Sequence, residues 1–293
     1  MTGPPTARCI LITLACVLLS PMTGEAAPGA LARGDAAYAR RGEGQVDGRA
    51  APAPIAEAVS SYEVALREEE GGLEAHWKLL RALYFQGEYV VSGEAAKRAV
   101  FGRGVEVARA AEALLAASIG AGSLVEDAEP SQVAAALRGN RDAAPVYFWG
   151  AVVFASWGRV AGAAAALGEG LADRLRRQAE IVIALDPGYE DGGAHRLLGR
   201  IHAMVPRIPF VTPWVERERA VQELRRAFAL GPDQPLNQLL LGQTILELAP
   251  SERPQAIELL RRVAHGSPRP EFSVEDAGLE RAARDLLAQL DDG

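Results

Sequence analysis

The sequence predicts an all-α protein built of antiparallel helix pairs, and three observations carry that prediction. From about Ile55 onward, apolar residues recur at helical spacing almost without interruption. No alternating β-branched run of strand length appears. The periodic segments end at glycine or proline: Gly71-Gly72, Gly87, Gly158, Asp186-Pro187-Gly188 and Pro206. Such residues end helices, because glycine tolerates the left-handed cap and proline cannot continue the hydrogen-bond ladder.

The first 26 residues have the form of an export signal. Arg8 precedes the apolar run Cys9 to Leu19, and Gly24-Glu25-Ala26 offers small residues where a signal peptidase reads. That run is too short to span a bilayer. Cleavage after Ala26 is one expectation. Acylation of Cys16 is the other, since Leu14-Ala15-Cys16 resembles the end of a lipobox, with Thr13 where an aliphatic residue is preferred. In the alternative, Cys16 is a small apolar residue of the run. Both cysteines, Cys9 and Cys16, lie in this segment, so the mature domain has no thiol pair and must be held by packing. The expected destination is the periplasm, with membrane attachment only through that lipid.

Residues 27–53 are rich in Ala, Gly, Arg and Pro and read as a flexible leader. A helical-repeat domain is expected over 54–293. Its helices are read at 55–67, 73–86 and 94–119, the last interrupted by Gly102 and Gly104. A short helix follows at 133–137, an apolar one at 146–157, and a long one at 160–185. Next come 194–205 and a helix to Leu230 that Thr212 caps, with Pro213 at its first position. The last three span 236–248, 254–263 and 274–290.

Three segments close on related phrases: Tyr62-Glu63-Val64-Ala65-Leu66, Ile183-Ala184-Leu185-Asp186-Pro187 and Phe228-Ala229-Leu230-Gly231-Pro232. The ending Ala-Leu-x-Pro of the second and third is a tetratricopeptide habit: Ala lets two helices approach and Pro forces the turn. The second and third phrases are farther apart than the roughly 34-residue repeat. The Pro206–Pro213 loop takes up the difference, so the array is tetratricopeptide-like but degenerate.

Composition and motifs exclude more than they assign. The formal charge of −7 lacks the basic stripe of a nucleic-acid surface. There is no Ser/His/Asp signature, no phosphate-binding glycine loop and no HExxH, so no enzyme chemistry and no cofactor are expected. His195 and His202 share a helix face, but seven residues apart they cannot both reach one ion, so no metal is expected.

Two apolar groups stand out. The helix VYFWGAVVFASWG carries Tyr147, Phe148, Trp149, Phe154 and Trp157 around much of its circumference. It is either a central helix packed on both sides, or one face lines a cavity for an apolar ligand. The loop PRIPFVTPW holds Ile208, Phe210, Val211 and Trp214 on a backbone stiffened by three prolines. It is either a connector capping the helix ends or a preorganised lip for a protein partner.

The block Asp186-Pro187-x-Tyr189, Gly192-Gly193-Ala194-His195-Arg196-x-Leu198-Gly199 and Pro206 resembles the T-component (TatT) family of TRAP-type transporters. Tyr147-x-Trp149, Trp157-Gly158 and Glu223-Leu224-x-x-Ala227-Phe228-x-Leu230-x-Pro232 fit the same pattern, over roughly 55–260. The resemblance implies an all-helical, tetratricopeptide-like periplasmic lipoprotein without enzymatic activity. It implies a periplasmic substrate-binding subunit as partner, and homo-oligomers enclosing a cavity for a hydrophobic small molecule. Tyr147, Trp149, Trp157 and Arg196 are the ligand-binding candidates; for Arg196, pairing with Asp191 or Glu190 at the helix start is the competing role. The weak lipobox and the long proline loop depart from the family pattern. A general tetratricopeptide scaffold of the cell envelope, recognising a peptide or assembly partner, is the rival reading.

Overall fold

The computed structural model describes residues 28–120, 128–267 and 269–291, and the protein is all-α. The first four helices are α1 (Ala30–Ala39), α2 (Pro52–Arg67), α3 (Leu73–Phe85) and α4 (Glu94–Ser118). A π-helical turn over Gln86–Val90 follows α3. Next come α5 (Pro130–Ala136), α6 (Ala143–Ala161), the short α7 (Ala163–Gly168) and α8 (Leu171–Leu185). The series ends with α9 (Tyr189–Met204), α10 (Arg217–Leu230), α11 (Pro235–Leu248), α12 (Arg253–Ala264) and α13 (Ser273–Asp291). Among the described residues there is no strand, only an isolated bridge between Val46 and Arg49.

Most helices pack on the next through a short reversal, and α4, α6 and α8 stack in sequence to form the middle. The largest core lies there. It gathers Leu80 of α3, Ala108 and Leu115 of α4, Val146 to Phe154 of α6, Ile181 of α8 and Ile201 of α9. The α6 helix is buried nearly all round, which accounts for its unbroken apolar run.

The leader departs from expectation. Within 27–53 the chain forms α1, whose Ala37 and Tyr38 pack with Ile55, Tyr62 and Leu83. Alanine is a strong helix former, and Tyr38 gives the helix enough buried area to dock. The last helix returns to this region. Val274 is fully buried among residues of α1 to α3, and Arg41 donates two hydrogen bonds to Glu275 Oε1, at 2.8 and 3.0 Å. Arg281 donates to the Asp47 carbonyl at 2.8 Å. The array therefore bends until its two ends meet.

Three helix boundaries also differ. Gly102 and Gly104 do not interrupt α4: a Cβ at Gly104 would stand 2.5 Å from Val153, so this glycine serves the close crossing of α4 and α6. The single helix expected over 160–185 is two helices, α7 and α8, because Gly162 (φ 92°) and Gly170 (φ 58°) take left-handed backbone. Thr212 does not cap α10, which starts at Arg217; it is buried and holds the preceding loop together instead. The expected signal peptide and Cys16 lie outside the described residues. No described helix is long and apolar enough to cross a membrane.

Candidate functional site

The structure separates the predicted ligand-binding residues. Tyr147 faces a groove of about 960 Å³ between α4 and α8, beside Glu112, Arg174 and Gln178. Glu112 accepts from Arg174 at 2.5 Å and from Gln178 at 2.7 Å, and burial raises its pKa against the pull of Arg174. Trp149 lies on another side of α6, nine-tenths buried, and donates through Nε1 to the Tyr189 hydroxyl at 3.2 Å. Trp157 is half-buried against the central core. Of Tyr147, Trp149 and Trp157, Tyr147 alone therefore lines this groove.

Trp149 instead belongs to a belt of seven aromatic rings crossing the array. Tyr38 contacts Phe85 (6.2 Å between centroids), Phe85 contacts Tyr89 (4.9 Å), and Tyr89 contacts Tyr84 (6.3 Å). Tyr84 meets Trp149 (5.9 Å), Trp149 meets Phe148 (5.2 Å), and Phe148 meets Tyr189 (5.4 Å). Arginines lie on the Tyr38 end: the guanidinium carbons of Arg41 and Arg81 are 4.8 and 4.1 Å from its ring centre. Burial pushes the Tyr38 and Tyr84 phenols up to about 12 and raises Tyr189 further. Yet Tyr84, Tyr189 and Arg81 keep part of their surface in solvent, and Glu190 is exposed. Burial raises the Glu190 pKa, and the charges of Arg196, Arg81 and Arg41 pull against that rise.

At the Tyr189 end the backbone makes an unusual turn. Glu190 (φ 51°), Asp191 (φ 55°) and Gly192 (φ 78°) are left-handed in succession before the regular part of α9 begins. For a non-glycine residue this costs about 1–2 kcal/mol, so neighbours must enforce it. Asn237, completely buried, donates through Nδ2 to the carbonyls of Asp191 (2.8 Å), Ala227 (2.9 Å) and Gly231 (2.9 Å). Arg196 donates to Asn237 Oδ1 (2.6 Å) and to the Glu190 carbonyl (3.2 Å). Gln234 holds the Asp191 carboxylate at 3.0 Å. A Cβ at Gly192 would stand 2.9 Å from Ala227 Cα, which explains the glycine. Of the two roles weighed for Arg196, this is the helix-start one, through the Glu190 carbonyl rather than a carboxylate.

The predicted partner loop divides in two. Thr212 Oγ1 accepts from the Ile208 amide at 2.9 Å and donates to the Pro206 carbonyl at 2.7 Å, stapling the turn. Trp214 is turned inward: it donates to Asp173 at 2.6 Å, lies under Arg176 and meets His202 edge-on. Ile208 is half-buried. Phe210 is fully exposed on left-handed backbone (φ 65°), with Val211 and Met204 exposed close by in the chain. Only the tip of the loop is therefore available to a partner.

The two histidines have separate partners. His195 pairs with the buried Glu223 at 2.7 Å, and His202 Nδ1 accepts from the Glu216 amide at 3.1 Å. Among the described residues no cluster of three metal-ligating side chains occurs.

Sequence reasoning missed Arg81 and Asn237, and named Glu190 only as a partner for Arg196 at the helix start. Asn237 had no local signal, since Asp191, Arg196 and Ala227 are remote in sequence.

Fold and site together define an all-α helix-pair protein with an arginine-edged belt of aromatic contacts and an apolar loop tip. No protein-family model matches the chain, and no curated protein matches it.

Proposed function

We propose that the protein is an exported, non-enzymatic auxiliary component of a TRAP-type solute transporter. It holds a small molecule with an apolar body on its inner face and engages a periplasmic substrate-binding subunit through the Phe210 loop tip. The observation that carries this reading is the seven-ring belt running from Tyr38 to Tyr189. Tyr84, Tyr89 and Tyr189 keep part of their surface in solvent over the buried Phe85, Phe148 and Trp149, and rings supported in this way suit a ligand's apolar surface. The resemblance of residues 186–206 to T-component proteins suggests the transport context. Phe210 supports the partner site, because a stapled loop loses little entropy on docking.

The fully exposed Phe210 also suits the rival reading, a cell-envelope scaffold for an assembly partner. Native mass spectrometry of the mature protein, purified gently from its own periplasm, separates the two. An oligomer carrying a small apolar mass, or a complex with a solute-binding protein, is the expected result. An empty monomer that captures only unstructured peptides would replace the transport reading with the scaffold.

A further inference from the structure

The groove between α4 and α8 has a floor that the protein's own hydrogen bonds leave unfinished. Tyr147 of α6 lines it and is only 4% exposed. Its ring packs in the central core, yet its hydroxyl makes no hydrogen bond among the described residues, and the oxygen is not sealed off by protein. The charges acting on that phenol are Glu112, Arg177 and Arg174, and all three line the groove, so the hydroxyl points into it. A phenylalanine would fill the same core with no polar group to desolvate. A nearly buried hydroxyl that no protein group satisfies calls for a partner from the groove.

The rest of the lining is polar and balanced in charge. Four arginines and four carboxylates line the groove among the described residues. Several are already matched. Glu112 accepts from Arg174 and Gln178, Arg109 pairs with Glu169 at 2.7 Å, and Asp173 accepts from Trp214. An added anion would meet the carboxylates and an added cation the guanidiniums, so neither sign is favoured. Hydrogen-bonding capacity remains, because a carboxylate accepts up to about four bonds and a guanidinium donates up to about five. Arg176 and Glu180, one turn apart on α8, add a donor and an acceptor on one face. The facing wall is flat and apolar: Ala113, Ala116 and Ala117 of α4, where no side chain extends past Cβ.

We propose that this groove binds a neutral polyhydroxylated molecule, a sugar. One hydroxyl partners Tyr147, others bridge the guanidinium and carboxylate groups of α8, and a C–H face lies on the alanines of α4. A hydroxyl is one donor and two acceptors, so it suits a wall that carries both kinds of group. A hydrocarbon would strand the Tyr147 hydroxyl and desolvate the ion pairs beside it. The volume of about 960 Å³ lies within the range of small-molecule sites. Trp149 and the aromatic belt occupy another side of α6, so this site does not rest on the transport reading.

The test is calorimetric titration of the full mature chain with glucose, galactose, maltose and sucrose. Glucuronate, galacturonate, glucosamine and galactosamine are the charged counterparts. At least one neutral sugar should bind, and every charged sugar should bind at least tenfold more weakly than the best neutral one. Tyr147→Phe should weaken that sugar tenfold or more while its thermal midpoint stays at or above the native value, since the hydroxyl it removes has no partner in the protein. Ala113→Trp, which fills the groove from an exposed position, should abolish binding. Absence of binding by all four neutral sugars, or a charged sugar that binds as tightly, would overturn the proposal. So would undiminished affinity in Tyr147→Phe. If Tyr147→Phe does not fold, the hydroxyl is structural and undiminished binding by Ala113→Trp would overturn the site.

Discussion

Arg196 donates a 2.6 Å hydrogen bond to Asn237, joining the first full turn of α9 to the start of α11, forty-one residues along the chain. Asn237 spends its amide hydrogens on three carbonyls where α9, α10 and α11 converge. Burial lowers the pKa of Arg196, opposed by Glu190 and Asp191. The pair holds the backbone that carries Glu190.

Asn237→Leu should therefore be among the costlier single substitutions. It leaves the Arg196 guanidinium and three carbonyls with fewer partners, in a site with no exposure. The expected loss is roughly 3 kcal/mol or more in urea unfolding, since each buried polar group left unmatched costs about 1–3 kcal/mol. An unchanged midpoint would mean that the left-handed turn holds without the clamp.

The leader helix should be part of the cooperative fold. A chain starting at residue 52 loses Tyr38 from the core and leaves Glu275 without Arg41. Breaking such a pair costs about 3–5 kcal/mol. Hydrogen exchange should show α13 losing protection near Val274 in that chain, and equally in Arg41→Met. Truncation with no effect on α13 would show that the ends meet without mutual support.

Alkaline pH should unfold the protein through its tyrosines. Tyr38, Tyr84 and Tyr147 are raised from 10 to about 12, chiefly by burial. Between those values the folded state binds more protons than the unfolded state, so stability falls as pH rises. It is fully present below about pH 10 and lost through about pH 12. Circular dichroism and tyrosinate absorbance should change together in that window; tyrosinate appearing near pH 10 with the helices intact would place the phenols in contact with solvent.

The loop tip and its staple should behave oppositely. Phe210→Gly removes an exposed ring and relieves left-handed backbone, at the cost of chain entropy. Stability should then change by no more than about 0.5 kcal/mol. Thr212→Val loses two hydrogen bonds in a buried site and should cost about 1–3 kcal/mol. Capture of the solute-binding subunit, followed by surface plasmon resonance, should fall for Phe210→Gly despite its native stability. Undiminished capture would remove Phe210 from the interface.

Acidification should weaken the same region. Burial and Arg219 hold the His202 pKa below its usual value, and its Nδ1 accepts from the Glu216 amide. A depressed histidine contributes stability present above about pH 6.5 and lost as pH falls through the folded value. The Trp214 fluorescence, coupled to the His202 ring, should shift below pH 6.5 in the native chain but not in His202→Phe.

The sequence by itself determined the helical class, most helix positions after Ile55, and the apolar loop, because apolar spacing, glycine and proline act locally. It also made the region around Arg196 conspicuous, since two consecutive glycines are unusual in a helix start. Only the tertiary structure decided that α1 belongs to the core, that Arg41 meets Glu275, and that Tyr147 and Trp149 serve different surfaces. These outcomes depend on how whole helices stack. An angle of rotation between neighbours decides which side of α6 a ring faces, and closure of the array brings together residues more than two hundred positions apart.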